Sequence, residues 1–145
     1  MKKIFYLIIS LLLFITVACD ETLENEEVNF SETNFELQGD WTVNAYIDNN
    51  MIFGPFTIST QMTSENESIY IKDSGEFWKF QTKAHLANSN SFETKSSLNE
   101  ICNVEANVRI INGSVINKDS IAFDIQFEDD ETPYGITYTL KGRRK

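Results

Sequence analysis

The chain has 145 residues, 12 basic and 22 acidic, a formal net charge of −10, two cysteines and one histidine. That length suits one domain with a single core. The acidity disfavours nucleic-acid binding, which needs positive patches against phosphate, and otherwise mainly reports solubility.

The N-terminus is laid out as an export signal. Lys2 and Lys3 precede an apolar run from Ile4 to Val17, interrupted by Ser10 and Thr16. A charged region, a short apolar stretch and a small residue before the cleavage point form a secretory signal, and the run is shorter than the roughly 20 residues of a membrane span. Thr16-Val17-Ala18-Cys19 resembles a lipobox, with Thr16 where Leu is commoner. Small side chains there fit a signal peptidase groove, and the Cys19 thiol would carry diacylglycerol. The expectation is cleavage between Ala18 and Cys19 and a membrane anchor through acylated Cys19. At about 0.8 kcal/mol per buried methylene, and with stable anchoring needing two lipid signals, a multiply acylated cysteine suffices without a transmembrane helix. Loss of residues 1–18 removes two lysines and no acids, leaving 127 residues with a net charge of −12.

Residues 19–36 read as the lipid-bearing cysteine followed by an acidic, disordered tether, with little to bury in Asp20-Glu21-Thr22-Leu23-Glu24-Asn25-Glu26-Glu27. The stretch resembles the acidic segments that follow the lipidated cysteine of surface-exported lipoproteins in some Gram-negative bacteria. A plain solvated linker explains the same acids. The expected location is the outer membrane, with exposure on the cell surface as one alternative.

From residue 37 to 145 the pattern is strand after strand. Trp41, Val43, Ala45 and Ile47 alternate with polar neighbours, as do Phe56, Ile58, Thr60 and Met62. Ile69 and Ile71 begin a shorter strand that ends at Asp73-Ser74-Gly75, and Trp78, Phe80, Thr82, Ala84 and Leu86 define the next. Phe92 and Thr94 mark a weak strand, and Cys102 to Ile110 a stronger one. Ile121 to Phe127 and Ile136 to Leu140 complete the set. Period-two alternation of β-branched and aromatic residues between turn signals predicts antiparallel sheet with one buried face. Asn112-Gly113 marks either a hairpin or a bend within one long strand. Ser96 to Glu100 is the one candidate for a helical turn. About eight strands in this length predict an all-β fold, a small lipocalin-like barrel.

The second cysteine, Cys102, alternates with Val104, Ala106 and Val108 and is expected to be a buried small hydrophobe rather than a reactive thiol. Gly39-Asp40-Trp41 opens the first strand and Arg143-Arg144 closes the last. In a closed barrel these ends meet, and a guanidinium on the indole would plug the floor, worth about 0.5–2 kcal/mol. The pairing resembles the glycine-x-tryptophan and terminal arginine of lipocalin-like barrels. An ordinary core tryptophan beside a basic C-terminus is the alternative.

Five segments carry a wider resemblance. They are Leu37 to Val43, Gly54 to Thr60, Glu76 to Phe80, Ser120 to Asp130 and Gly142 to Arg144. In this order they resemble the family of small bacterial lipoproteins called lipid-binding putative hydrolases. The resemblance implies a lipocalin-like barrel and a lipid-related role, and transfers no active-site residues.

The residues themselves offer little for catalysis. No Gly-x-Ser-x-Gly elbow or His-Glu-x-x-His pair occurs. His85 falls in register with Lys79, Gln81 and Lys83 on the face expected to meet water, away from any oriented serine and carboxylate. Asp129-Asp130-Glu131 lacks the spacing of a calcium loop and reads as a solvated turn. Asp119-Ser120-Ile121 resembles a short O-glycosylation sequon. Neither a metal, a cofactor nor a catalytic residue is therefore assigned.

An eight-stranded barrel is just wide enough to be filled by side chains or to hold one small ligand. The expected inward set, Trp41, Phe56, Met62, Trp78, Phe80, Phe92, Phe123, Phe127 and Tyr138, is bulky. A ligand site should then be a shallow mouth, with Trp78, Phe80, Phe123 and Tyr138 as candidate contacts. The leading expectation is non-catalytic binding of a small apolar or amphipathic, lipid-like ligand. The alternative is an envelope module that shows its loops, with Phe53 and Tyr134, to a protein or glycan partner. A lipid hydrolase comes third.

Overall fold

The computed structural model describes residues 34–145; the expected signal, Cys19 and nearly all of the acidic tether lie outside them. A 3₁₀ turn, Asn34–Leu37, leads into β1 (Gly39–Ile47), β2 (Asn50–Met62), β3 (Ser68–Asp73), β4 (Phe80–Asn88), β5 (Ser91–Leu98), β6 (Asn107–Ile116), β7 (Ser120–Phe127) and β8 (Tyr138–Arg144). Every strand pairs antiparallel with its sequence neighbour, and β8 returns to β1, so the sheet is a closed eight-stranded barrel. Closure leaves no sheet edge to protect. The expected all-β barrel is what the chain forms.

Alternation decides which side chains enter the barrel. Trp41, Val43 and Ala45 from β1 meet Phe56 and Ile58 from β2, Ile69 and Ile71 from β3, Phe80 and Ala84 from β4, and Ile121, Phe123, Ile125 and Phe127 from β7 in one core. The short connections are set by residues that tolerate positive φ. Asp48 and Asn49, at φ 49° and 66°, turn β1 into β2 with Ile47 opposite Asn50, the mirror-image geometry of tight hairpins.

Asn112-Gly113 is a bend inside β6 and not a hairpin. Asn112 sits at φ 55°, and the register against β7 shifts between Ile111 and Ser114. A Cβ on Gly113 would overlap the ring of Phe92 on β5. Glycine here lets an aromatic ring cover the bent strand.

Four local expectations are corrected. Trp78 lies before β4 in the β3–β4 loop, because the backbone N–H groups of residues 75–78 are all taken by the Asp73 carboxylate and none is free for a ladder. The segment from Cys102 is loop until Asn107, and within Ser96 to Glu100 the chain finishes β5 at Leu98 and then turns, with no helical turn. Asn99 causes both. Its buried side chain accepts from Gln81 N at 3.0 Å and donates to Lys79 O at 3.0 Å, so an amide side chain continues the ladder to β4 while the backbone turns away. Asn99 N then bonds Ala106 O at 2.9 Å, closing the loop. Cys102 in that loop is half-buried, its Sγ 3.8 Å from Asp129 Oδ2, so it is not the core hydrophobe expected.

Candidate ligand site at the aromatic mouth

The two ends of the barrel are built differently. At one end the chain enters and leaves, and Trp41, Thr60 and Arg144 close the floor. Trp41 Nε1 donates to Thr60 Oγ1 at 2.8 Å, and the Thr60 hydroxyl donates to Leu37 O. The Arg144 guanidinium lies 4.2 Å from the Trp41 ring centroid. It also donates to the carbonyls of Glu36, Gln38 and Lys118. Gly39, at φ 148°, has no Cβ because that space belongs to Arg144 Nη1, which explains why glycine stands two residues before the tryptophan. Arg143 is exposed on the outer wall, opposite Thr42 and Ser120. Glu36 and Lys118 add a 2.6 Å ion pair. The hydrogen bond from Lys118 to Glu36, then their attraction, raises the lysine pKa above its ordinary value.

The opposite end gathers the β1–β2, β3–β4, β5–β6 and β7–β8 connections around a ring cluster. Phe53 lies 5.6 Å from Phe56 and 5.7 Å from Phe77. Phe77 is 5.4 Å from Tyr138 in an edge-on arrangement, and Trp78 stacks on Phe127 at 4.4 Å with ring planes 5° apart. Such contacts are worth about 0.5–1.5 kcal/mol each beyond burial. Phe53 is 42% exposed, and its neighbours Met51 and Ile52 are 60% and 46% exposed, so the cluster opens to solvent on the β1–β2 side. Phe77 and Trp78 are half-buried. We call this end the mouth.

The β3–β4 loop supplies the plug. Asp73 is fully buried at the end of β3, with Oδ1 accepting from the N–H groups of Gly75 and Glu76, and Oδ2 from those of Phe77 and Trp78, all at 2.7–2.9 Å. Charge-assisted bonds of this kind are about twice as strong as neutral ones. One carboxylate thereby fixes where both plug aromatics point.

Carboxylates also reach the rings from the β7–β8 loop. Tyr138 OH donates to Asp130 Oδ2 at 2.8 Å, and Trp78 Nε1 donates to Asp129 Oδ2 at 3.4 Å. Burial, then the bond to Asp130 and its charge, push the Tyr138 phenol up to about 12. Glu128 accepts from Asn107 N and Nδ2, both at 2.7 Å. Those bonds, the backbone one first, hold its carboxyl below the usual range. Among the described residues no three His, Cys, Asp or Glu side chains are grouped to hold a metal ion.

Of the four candidate contacts, the fold brings Trp78 and Tyr138 together at the mouth, 5.8 Å apart. Phe80 lies one ring deeper, against Phe127 at 5.5 Å, and Phe123 packs on Phe92 at 5.8 Å; both are sealed from solvent. Sequence reasoning missed Phe77 and Asp73. Phe77 fell just outside the alternation that begins at Trp78 and sits in a loop, but Asp73 before Ser74-Gly75 carried a usable signal, since aspartate there favours a side-chain-to-backbone turn.

His85 is exposed on β4, and its Nδ1 shares a 3.0 Å hydrogen bond with Ser68 Oγ, which is 2% exposed. Near it a surface hollow of about 420 Å³ is lined by Glu65, Asn66, Glu67, His85 and Leu86.

A closed eight-stranded antiparallel barrel with a sealed floor and an aromatic mouth is a small lipocalin-like barrel. The chain belongs to the family described as lipid-binding putative hydrolase, whose model matches residues 25–145. Family membership and the barrel fit a lipid-binding role. Among curated proteins, none matches the chain.

Proposed function

We propose that the protein is a membrane-anchored lipoprotein that binds a small apolar or amphipathic, lipid-like ligand at the aromatic mouth without transforming it. The observation that carries this reading is the partly open cluster of Phe53, Phe77, Trp78 and Tyr138 above a packed interior. An apolar chain laid on those rings gains about 25 cal/mol for each Å² it withdraws from water. The site is shallow, and the ligand lies on the plug and not within the barrel.

The test is binding of a neutral phenylnaphthylamine probe to residues 20–145, which include the whole closed barrel and its core. Saturable fluorescence that natural lipids compete away is expected, weakened about five- to tenfold by Trp78→Ala through loss of an aromatic contact of about 1–1.5 kcal/mol. No binding at high micromolar probe would refute the reading.

Anchoring rests on the lipobox-like Thr16-Val17-Ala18-Cys19, with the outer membrane as the proposed site and the acidic stretch after Cys19 favouring exposure at the cell surface. Cys19→Ala should move the protein out of the membrane fraction; retention there would overturn the anchor. Exposed Met51, Ile52 and Phe53 support a second reading, an interaction module docking an envelope protein. A hydrolase is the weakest reading, because the Ser68 hydroxyl beside His85 is buried.

A further inference from the structure

Charge is distributed along the barrel axis as unevenly as the aromatics. The four connections at the mouth carry Asp48, Glu76, Glu100, Glu105, Glu128, Asp129, Asp130 and Glu131 against a single lysine, Lys79. At the floor, five acids, Glu36, Asp40, Glu65, Glu67 and Asp119, face four cations, Lys118, Arg143, Arg144 and Lys145, so the balance there is nearly even. The nearby Arg109, on β6, has its guanidinium 4.3 Å from the Tyr134 ring and bonded to Gln126 and to Lys95 O. It offers the mouth no free cation.

Two of these carboxylates are hydrogen-bonded to rings of the mouth itself, Asp129 to Trp78 and Asp130 to Tyr138. Each ring therefore has a negative charge at its polar edge; Tyr138 is buried and one face of Trp78 is stacked on Phe127, so the half-buried Trp78 offers its remaining surface for apolar or cation–π contact. A cation beside an aromatic face is attracted by the ring quadrupole, and tryptophan is the best such partner. A carboxylate on the same ring adds direct attraction, and the surrounding acidic loops focus the potential over the opening. A fatty-acid carboxylate approaching the same place meets net repulsion, since Lys79 is the single cation among eight acids in these connections.

Resting on the ligand site proposed above, we infer that the mouth selects amphiphiles whose polar end is cationic, an alkylammonium or quaternary ammonium group, over those ending in a carboxylate. The apolar chain lies along Phe53 and Phe77 beside Met51 and Ile52, and the ammonium sits by Trp78 and Asp129. Electrostatic selection of this kind acts as a difference between ligands and need not make any one of them bind tightly.

The test is displacement of the neutral phenylnaphthylamine probe from residues 20–145 by three amphiphiles of equal chain length, each below its micelle threshold. They are dodecyltrimethylammonium, dodecanoate and dodecyl maltoside. The ammonium is expected to displace the probe at a concentration at least about tenfold below that of dodecanoate, a difference of about 1.4 kcal/mol, with the maltoside between. Raising the salt from about 0.01 M to about 1 M shortens the Debye length from about 30 Å to about 3 Å and should close most of that gap in the unaltered protein. Asp129→Asn with Asp130→Asn should bring the two charged competitors within about twofold of each other.

Equal displacement by dodecanoate and the ammonium overturns the inference and leaves the ligand site standing. A preference that survives both high salt and the double substitution also overturns it. Failure of the probe itself to bind refutes the ligand site on which the inference depends.

Discussion

Replacing Asp73 by asparagine tests whether one carboxylate holds the mouth together. Its two oxygens take four backbone N–H groups, those of residues 75–78. Asparagine keeps one acceptor oxygen and turns an NH₂ toward the other two donors, so two bonds become donor-against-donor contacts. Gly75 and Glu76 are exposed and can recover hydrogen bonds from water, whereas Phe77 and Trp78 are half-buried. Leaving a buried donor unsatisfied costs about 1–3 kcal/mol, so with two such donors the substitution should cost about 3 kcal/mol. Against a typical total of about 5–15 kcal/mol, the variant stays folded but is weakened. With a urea slope of about 1–3 kcal/mol per molar, the midpoint should fall by about 1–3 M.

Fluorescence locates the damage, because the chain has only two tryptophans, Trp41 sealed in the floor and Trp78 at the mouth. Before global unfolding, emission from Trp78, read in a Trp41→Phe background, should shift to the red in the Asp73→Asn protein. A midpoint within about 0.3 M of the parent, with unshifted Trp78 emission, would refute the view that Asp73 sets the plug, given how large an effect on that slope the lost bonds imply.

Two other predictions concern the floor and the phenol. Arg144→Ala removes a cation–π contact of about 0.5–2 kcal/mol and hydrogen bonds of about 1 kcal/mol each, so it should lower the thermal midpoint by about 10–20 °C in calorimetry. Arg144→Lys, which keeps the charge and loses the fork, should recover less than half, and full recovery would show that charge alone matters. Because Tyr138 is raised to about 12 from 10, the folded state holds its proton more tightly. Its contribution to stability is therefore complete below pH 10 and lost as pH rises from about 10 through about 12. Tyrosinate absorbance should show one late-titrating phenol that Tyr138→Phe abolishes; a late phase that persists would assign it elsewhere.

The barrel was legible in the sequence because all eight strands bury alternate residues over at least part of their length, from Trp41-Val43-Ala45 to Tyr138-Leu140. The start of β2 was hidden because Met51, Ile52 and Phe53 are consecutive apolar residues with no period. Cys102 misled because Cys-x-Val-x-Ala-x-Val alternates like a strand, while the deciding group was Asn99, whose side chain ends β5 by standing in for a peptide. The mouth was half legible. Trp78 and Tyr138 could be nominated as large residues near strand ends, but the plug depends on a carboxylate gathering four successive amides. That is a property of a folded loop, and no alternation records it. Likewise Asp129 and Asp130 read as solvated acids until their partners were known to be aromatic.

The hydrogen bonds from Arg144 to the carbonyls of Glu36 and Gln38 fix more than a floor, for they decide which end of the molecule the preceding chain departs from. β1 runs nine residues from that point to the opposite rim. At about 3.4 Å per residue and a strand tilt of about 40°, the mouth stands about 20 Å beyond the point of attachment. Under the proposed anchor the barrel would act as a spacer of that height, with the proposed ligand site on the side away from the attachment.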